Sequence, residues 1–330
     1  MENLGIAITG SGSAVPKTSL TNQALTELVE TSDEWIATRT GISQRRLALP
    51  SESLSVLATA ASNQAITSAG IKATDLDLIL LATSTPDDLF GTACQIQAEL
   101  GATKAVAFDL TAACSGFVFG LVTAAQYIKT GVYENVLLIG ADILSRWVDW
   151  QDRQTCVLFG DGAGAVVLQA NPSDRLLGFS LKSDGTQNHL LNLGYSPSTQ
   201  ELLPEVNITQ GTYQPITMNG KEVYRFAVQK VPEIIDKALF QANLTVEQID
   251  WLVLHQANQR IINAVAQRLN IPENKVISNL AHYGNTSAAS IPLALDESVR
   301  QGKIKPNEIV VASGFGAGLT WGAAIFQWGR

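Results

Sequence analysis

Cys114 is the residue of this chain best suited to nucleophilic catalysis. It stands between a β-rich run that ends near Leu110 and an apolar stretch, beginning near Ser115, that predicts a helix of about four turns. The dipole and the free N–H groups at such a helix N-terminus favour a thiolate and can hold an oxyanion. A small buried core residue is the alternative interpretation, and it is the one we adopt for Cys94 and Cys156.

His255 and Asn285 are two polar residues in a comparable context. His255 directly follows the strand-like run in DWLVLHQANQR, and functional side chains gather at the C-terminal ends of strands in α/β folds. Asn285 lies in HYGNTSAAS, a small-residue turn before a predicted helix Ile291–Gln301. Taken singly, a His or an Asn in such a turn is usually a cap or a satisfied polar group. His189 and His282 have no such context and are read as structural.

Together a Cys, a His and an Asn at strand or helix ends suggest nucleophilic thiol catalysis. A Cys–His–Asn hydrolase stays open at this point, although the local signature of papain-like enzymes around the cysteine is absent. The GFGAG segment at 314–318 is either a tight turn or a backbone oxyanion site.

The elements that must position these residues follow an α/β pattern, because strand-like apolar runs alternate with helix-period stretches. A polar, Gly/Pro/Ser-rich stretch from about Asn171 to Pro215 interrupts the alternation, which then resumes. The predicted strands are Ile6–Gly10, Leu76–Ala82, Ala105–Leu110, Val136–Gly140 and Ala165–Gln169, and the predicted helices Leu54–Ala69, Ala93–Leu100 and Ser115–Thr130.

The second half of the chain repeats the first. Residues 65–81 align with 238–254 at a constant offset of 173, and Cys114 pairs with Asn285 at an offset of 171. The segments ENVLLIGAD and NEIVVASGF, and then GAGAVVL and GAGLTWGAAIF, follow in the same order. We interpret the chain as two copies of one α/β unit, with chemistry at equivalent places in each.

Composition excludes several classes of protein. Of 330 residues, 46% are hydrophobic and only 16% are charged, well below the roughly 25% usual in soluble domains, which predicts extensive burial and a subunit interface. A net charge of −8 without a basic block argues against nucleic-acid binding. No apolar run approaches the ~20 residues of a membrane helix, and the start MENLGIAITG lacks signal-peptide features. Three cysteines without CxxC or metal spacing predict a reduced, cytoplasmic protein with no metal.

Six blocks, in order along essentially the whole chain, resemble the type III beta-ketoacyl-acyl carrier protein synthases of the thiolase-like condensing-enzyme family. They are TSDEWIATRTGISQRR (31–46), TAACSGF (111–117), DRQTCVLFGDGAGAVVL (152–168), LHQANQRI (254–261), HYGNTSAAS (282–290) and GFGAGLTWG (314–322).

The resemblance implies an α/β fold of five αβαβα layers built from two duplicated halves. Residues 1–170 form the half with the nucleophilic Cys, and residues 216–330 form the half with His and Asn. A connecting segment, 171–215, joins them. It also implies a homodimer that starts type II fatty acid synthesis. The enzyme would take an acyl group, usually acetyl, from acyl-CoA onto Cys114. It would then condense that group with malonyl-acyl carrier protein and release carbon dioxide, with no permanently bound cofactor.

The resemblance also gives each residue a role. The backbone N–H groups of Cys114 and Ala317 would hold the oxyanion of thioester exchange. His255 and Asn285 would hold the enolate oxygen formed on decarboxylation, as two neutral N–H donors that do not protonate the carbanion. His plus Asn, not His plus His, marks the type III branch.

Two segments depart from the family pattern. The family often has GGG where this chain has Gly316–Ala317–Gly318. The methyl group of Ala317 leaves its backbone N–H in place and strains the turn only if the φ of Ala317 must be positive.

In the loop PDDLFGTAC, Leu89 and Phe90 replace a commoner Phe-Pro pattern. In relatives this loop reaches the partner subunit's acyl pocket, to which we also assign Phe315.

Two further groups of residues match contacts to substrates in the family. Trp35 and Arg39 follow a predicted capping box Thr31…Glu34 and share a helix face, so they would sandwich an adenine of CoA, with Arg153 completing the clamp. A basic patch would dock the acidic carrier protein; its residues are Lys221, Arg225, Arg260 and Arg268. A surface aromatic and a solvated face are the plain alternatives.

Two other functions stay open. One is a condensing or acyltransferring enzyme of secondary metabolism that does not use malonyl-acyl carrier protein. The other is a catalytically silent module that only binds the carrier protein, against which the intact Cys114, His255 and Asn285 argue.

Overall fold

The computed structural model describes residues 4–329; residues 1–3, part of the start analysed above for signal-peptide features, lie outside the described residues. Within this range the strands, in chain order, are β1 Gly5–Ala14, β2 Ser19–Thr21, β3 Gln44–Arg46, β4 Leu78–Ala82, β5 Val106–Leu110, β6 Asn135–Ile143, β7 Asp161–Asn171, β8 Leu176–Ser183, β9 Leu191–Asn192, β10 Tyr195–Leu203, β11 Val206–Tyr213, β12 Thr217–Met218, β13 Trp251–Leu254, β14 Val276–Ile277, β15 Ile309–Gly316 and β16 Thr320–Gln327.

The α-helices of the same range are α1 Asn22–Leu25, α2 Asp33–Thr40, α3 Leu54–Ala69, α4 Ala93–Leu100, α5 Gly116–Lys129, α6 Gly220–Ala242, α7 Gln259–Arg268, α8 Leu280–Tyr283 and α9 Ser290–Arg300. The bounds of α3 and α4 are those predicted from sequence. The helix predicted from Ser115 begins one residue later, because Ala113–Ser115 form a separate 3₁₀ turn.

Two five-stranded sheets repeat one topology. The first has the order β1-β7-β6-β4-β5 and the second β8-β16-β15-β13-β14. In both, the three strands at one end pair in parallel and the remaining pairs are antiparallel. The duplication predicted from the sequence is confirmed.

Five layers result from stacking these units. Helices α5 and α9 lie between the two sheets and share one apolar core with both of them. Helices α3 and α4 cover the outer face of the first sheet, and α6 and α7 cover that of the second. Because α5 is enclosed by sheets on two sides, it is apolar almost all round, and β4 is buried at every position.

The repeat is closest in register between the outer helices and the strands that follow them. Gly70 and Asn243, 173 residues apart, both end their helices in the left-handed conformation, with φ of +70° and +53°. The central helices differ in length: α5 has 14 residues and α9 has 11. The offset between the two copies therefore changes across these helices. The 3₁₀ turns that precede them, Ala113–Ser115 and Ser287–Ala289, are 174 residues apart, so Ala288, and not Asn285, is equivalent to Cys114.

The segment 171–215 contains more regular structure than its composition predicts. It includes β8, which is an edge strand of the second sheet, and an exposed hairpin of β10 and β11. None of the helices in the 4–329 range combines the length and the apolar character needed to cross a membrane.

Candidate active site

Cys114, His255 and Asn285 line one cavity of about 430 Å³. Each is buried, with 8%, 2% and 7% of its surface exposed. Cys114 comes from the first half of the chain and the other two residues from the second. The structure therefore brings together the three residues that the sequence singled out.

Cys114 sits in a tight turn between β5 and α5. Ala113, just before it, has a φ of +47°, a strained value for a residue with a side chain. The end of β15 packs so closely against this turn that a Cβ atom on Gly316 would lie 2.6 Å from the Cys114 backbone nitrogen. Glycine is therefore required at position 316.

The surroundings of the thiol act on its ionisation in both directions. Burial raises the pKa of Cys114 to about 12, while the hydrogen bond donated by the Ser287 hydroxyl, 3.3 Å from Sγ, lowers it. Burial thus favours the protonated thiol and opposes the expectation that a helix N-terminus holds the thiolate.

His255 directly follows β13, and its backbone N–H donates to the Ser313 carbonyl at 2.8 Å. Its Nδ1 lies 2.7 Å from Ser290 Oγ, and Phe315 packs edge-on against the ring with centroids 5.5 Å apart. Burial lowers the pKa of His255 to about 3, so the imidazole is neutral at physiological pH.

Asn285 is fixed on both sides by backbone hydrogen bonds. Its N–H donates to the Leu158 carbonyl at 2.9 Å, and its carbonyl accepts from the Gly160 N–H at 3.0 Å. Its Oδ1 accepts from the Ser287 N–H at 3.0 Å. The side-chain oxygen is thus engaged by the protein, which leaves the Nδ2 donor for the cavity that Asn285 lines.

A second, more apolar cavity of about 730 Å³ also has Cys114 in its lining. Ala317 lines it, and this residue does not have a positive φ, so its methyl group does not strain the turn. Leu89 also lines this cavity, whereas Phe90 is fully exposed and does not. Phe315 lines the first cavity, against His255, and not the apolar one.

Several residues at the site escaped the sequence analysis. Trp147, Tyr213 and Ile216 line the apolar cavity, but no spacing connects them. Asp142 of β6 is buried, and its carboxylate accepts hydrogen bonds from the Ser84 N–H, just after β4, and from the Ala288 N–H, in the turn before α9. The other two, Ser287 and Ser290, lie within the quoted block HYGNTSAAS, whose density of small residues was the available signal.

The three residues predicted to clamp adenine lie together, and one of them, Arg39, also lines the first cavity. The guanidinium carbons of Arg39 and Arg153 lie 4.8 Å and 4.9 Å from the centroid of the Trp35 ring. The helix cap beside it differs from the prediction. Ser32, not Thr31, caps α2 by accepting from the Trp35 N–H, and the buried Thr31 Oγ1 has no hydrogen-bond partner among the described residues.

The four predicted docking cations divide into two pairs. Lys221 and Arg260 line the first cavity, and the Arg260 guanidinium carbon lies 5.6 Å from the centroid of the Tyr224 ring. Arg225 forms an ion pair with Glu222, and Arg268 donates to the Val228 carbonyl; neither lines that cavity.

A buried thiol shares a cavity with a neutral imidazole and an amide, and two copies of one α/β unit bring them together. This arrangement is the one expected of the condensing acyltransferases of the thiolase fold that the sequence resembles. Comparisons with known proteins narrow this class. Residues 108–185 match the family model for 3-oxoacyl-[acyl-carrier-protein (ACP)] synthase III, and residues 239–328 match the model for its C-terminal part.

Individual relatives agree with the family models. The beta-ketoacyl-[acyl-carrier-protein] synthase III of Nostoc sp. (strain PCC 7120) is 84% identical over 330 residues, 100% of both chains. The crystal structure of 3-oxoacyl-[acyl-carrier-protein] synthase III from Aquifex aeolicus VF5 is 44% identical with a TM-score of 0.91, covering 98% of this chain and 100% of that one. The priming beta-ketosynthase of the R1128 polyketide pathway is 34% identical with a TM-score of 0.91, covering 100% and 98%.

The chain belongs to the beta-ketoacyl-[acyl-carrier-protein] synthase III family, and the resemblance found in the sequence is confirmed.

Proposed function

We propose that Cys114 takes an acyl group, acetyl in the simplest case, from acyl-CoA, and that the enzyme condenses it with malonyl-acyl carrier protein to a 3-ketoacyl product. The observation that carries this proposal is the shared cavity of Cys114, His255 and Asn285, in which the histidine is neutral. The proposed reaction has two halves that use different parts of the site.

In the first half-reaction the Cys114 sulfur attacks the thioester carbonyl of acyl-CoA. The new S–C bond forms as the bond to the CoA sulfur breaks, and the thiol proton ends on the departing CoA. The backbone N–H groups of Cys114 and Ala317 hold the oxyanion, and the Ser287 hydroxyl stabilises negative charge on Sγ. Acylation thus uses Ala317 and Ser287 in addition to Cys114 itself.

In the second half-reaction the malonyl thioester loses carbon dioxide. The electron pair of the broken C–C bond becomes an enolate, whose oxygen His255 and Asn285 hold as neutral N–H donors. The enolate carbon then attacks the acyl group on Cys114, a C–C bond forms and the C–S bond to Cys114 breaks. The sulfur leaves as a thiolate and takes a proton from solvent, which restores the thiol. Because the imidazole is neutral, it does not quench the carbanion.

Residues at the outer surface bind the two substrates. The Trp35, Arg39 and Arg153 cluster suits the adenine of CoA, which stacks between a ring and guanidinium planes. Lys221 and Arg260 at the first cavity, with Arg225 and Arg268 further out, suit an acidic carrier protein. The apolar cavity beside Cys114, lined by Leu89, receives the acyl chain.

The functional assembly is a homodimer. Strand β5 is an edge strand of the first sheet, and Val106 and Phe108 on it are 49% and 36% exposed. Leu89, which is 82% exposed, and Phe90, which is fully exposed, continue this apolar surface. An unprotected apolar strand edge suits pairing with a second copy.

The two halves of the chain have different roles: residues 1–170 contain the nucleophile and residues 216–330 contain the enolate donors. Strand β8 within 171–215 supports a start of the second copy near Leu176, earlier than the composition indicates. The three free cysteines suit a reduced, cytoplasmic setting.

A panel of acyl-CoAs offered to the purified enzyme tests the proposal, with the mass of the protein read before and after. We expect an adduct on Cys114, which malonyl-acyl carrier protein then removes with release of carbon dioxide. An adduct that is not discharged in this way would support a priming role in secondary metabolism, which the likeness to the R1128 ketosynthase makes the second candidate. No adduct with any acyl-CoA would contradict both and favour a silent binding module.

A further inference from the structure

Ser290 connects the end of a helix to the candidate histidine. It is the first residue of α9 and only 1% exposed. Its Oγ lies 2.7 Å from His255 Nδ1 and 3.3 Å from the Gln256 backbone nitrogen. A single buried hydroxyl therefore contacts both His255 and the residue after it.

The direction of these two hydrogen bonds follows from their partners. A backbone N–H only donates, so Gln256 donates to Ser290 Oγ and the oxygen acts as an acceptor there. The hydroxyl hydrogen must then find an acceptor of its own, because a buried unsatisfied donor is costly. Among residues 4–329 the acceptor within hydrogen-bond distance is His255 Nδ1.

The opposite assignment leaves a group unsatisfied. If Nδ1 carried a hydrogen and donated to Ser290 Oγ, the oxygen would accept twice and its own hydrogen would have no partner in the described structure. Nδ1 is therefore the acceptor. A neutral imidazole carries one hydrogen, which must then be on Nε2.

We propose that Ser290 is a positioning residue that holds His255 in the tautomer with hydrogen on Nε2, so that an N–H donor is available to the reacting oxygen. This inference rests on the enolate-holding role proposed for His255. Phe315, edge-on against the same ring, restricts its rotation. The other tautomer would present a lone pair to the enolate oxygen and repel it.

The choice of a serine distinguishes this site from a hydrolase. A carboxylate at Nδ1 accepts the imidazole hydrogen, makes Nε2 a base and stabilises the imidazolium, as in Ser-His-Asp triads. A hydroxyl that donates to Nδ1 does the reverse, because it leaves Nε2 as a donor. The hydroxyl at Nδ1 therefore argues against the Cys–His–Asn hydrolase considered from the sequence, because there the histidine would have to act as a base.

The tautomer of the wild-type full-length enzyme is directly measurable by ¹⁵N NMR with labelled histidine. The chain has three histidines. Signals of the other two are assigned with His189→Gln and His282→Gln, which leave His255 intact. We expect long-range couplings that show a hydrogen on Nε2 and a bare Nδ1; a hydrogen on Nδ1 would overturn the proposal without recourse to any variant at the site.

Ser290→Ala then tests the consequence. We expect self-acylation from acetyl-CoA to stay near the wild-type rate, condensation to fall roughly tenfold, and a shift of the hydrogen towards Nδ1. Ser290→Thr, which keeps the hydroxyl, should restore both the tautomer and the condensation rate. Ser298→Ala removes a buried serine from the same helix away from both cavities and serves as the matched control.

Two outcomes separate the proposal from the function on which it rests. Wild-type condensation in Ser290→Ala, with the hydrogen still on Nε2, would contradict the positioning role alone. Wild-type decarboxylation in His255→Ala would instead contradict the enolate-holding role of the histidine, whatever tautomer NMR reports. Thermal unfolding of each variant establishes that it is folded before its rates are compared.

Discussion

The Ser287 hydroxyl donates a hydrogen bond to Cys114 Sγ across 3.3 Å, although the two residues are 173 positions apart. Ser287 has a φ of +51°, and its N–H donates to Asn285 Oδ1. Asn285 thus supports the residue that contacts the nucleophile while its Nδ2 is left for the cavity. One short turn thus contacts the residues proposed for both half-reactions, and assays must separate the two.

Cys114→Ser should abolish acylation. A serine hydroxyl at this position stays protonated, and the neutral His255, with its hydrogen on Nε2, is not a base for it. Transfer of radiolabelled acetyl from acetyl-CoA, followed by isolation of the protein, measures this directly. Residual label on Cys114→Ser at the wild-type level would place the nucleophile elsewhere.

His255→Ala and Asn285→Ala should still form acyl-enzyme, because the backbone donors of Cys114 and Ala317 remain. Each variant should lose decarboxylative condensation by roughly 10²–10³, the usual effect of deleting one oxyanion donor. The double variant should lose less than the product of the two, since both donors serve one oxygen and act as a unit.

Release of carbon dioxide from labelled malonyl-acyl carrier protein provides the readout for these variants. If Asn285→Ala decarboxylated at the wild-type rate, Asn285 would be a structural residue of the turn before α9. Acylation of the same preparation is the internal control that the Ser287 contact survives.

The condensation rate should show no inflection near pH 6.5. Burial lowers the pKa of His255 from 6.5 to about 3, so the imidazole does not gain a proton on mild acidification. The same shift lowers the free energy of unfolding as pH falls from 6.5 towards 3, because there the unfolded chain binds this proton and the folded chain does not. Decarboxylation by pre-acylated enzyme, followed against pH, measures the rate; a step centred near 6.5 would show a titrating histidine.

Arg260→Glu should weaken use of malonyl-acyl carrier protein and leave self-acylation from acetyl-CoA nearly intact. In the proposed function the carrier protein docks by charge, whereas CoA relies more on Trp35 and Arg39. Lys303→Glu, an exposed cation that does not line the first cavity, is the control for net charge. Equal losses in both half-reactions would make Arg260 a structural residue, held on the Tyr224 ring.

The enzyme should sediment as a dimer at micromolar concentration, with an apolar interface above ~2,000 Å². Val106→Arg at the β5 edge should shift it towards monomer, because a charge there must be desolvated on pairing. Val132→Arg, at a residue 59% exposed in the turn after α5, should not. A wild-type monomer would remove the case for a shared acyl pocket at Leu89 and Phe90.

Where apolar periodicity and helix caps coincide, the sequence was sufficient to predict the elements. Helix α3 has its predicted bounds because Ser53 caps its start and Gly70 its end. Strand β1, predicted to end at Gly10, continues to Ala14. Its small residues do not read as strand, yet they are required by packing: a Cβ on Gly10 or Gly12 would lie 2.3 Å or 2.2 Å from a carbonyl oxygen of α3.

In the site, too, some features are predictable from the sequence and others are not. Cys114, His255 and Asn285 were candidates because each follows an element end, and the six blocks that resemble one family made them strong candidates. The contacts that set their chemical states were not, because Ser290 meets His255 across 35 positions and Ser287 meets Cys114 across 173. The β10–β11 hairpin was missed for another reason: it is exposed on both faces and has no apolar alternation to reveal it.

The close approach of Gly316 to the Cys114 turn has a consequence for synthesis on the ribosome. Polypeptides emerge N-terminus first, so Cys114 leaves the exit tunnel about two hundred residues before the strand that completes its surroundings. A nascent or truncated chain therefore carries Cys114 without Ala317 and without the Ser287 hydroxyl beside its sulfur. We expect acyl-CoA not to acylate such chains, because the donors proposed for that step are not yet in place.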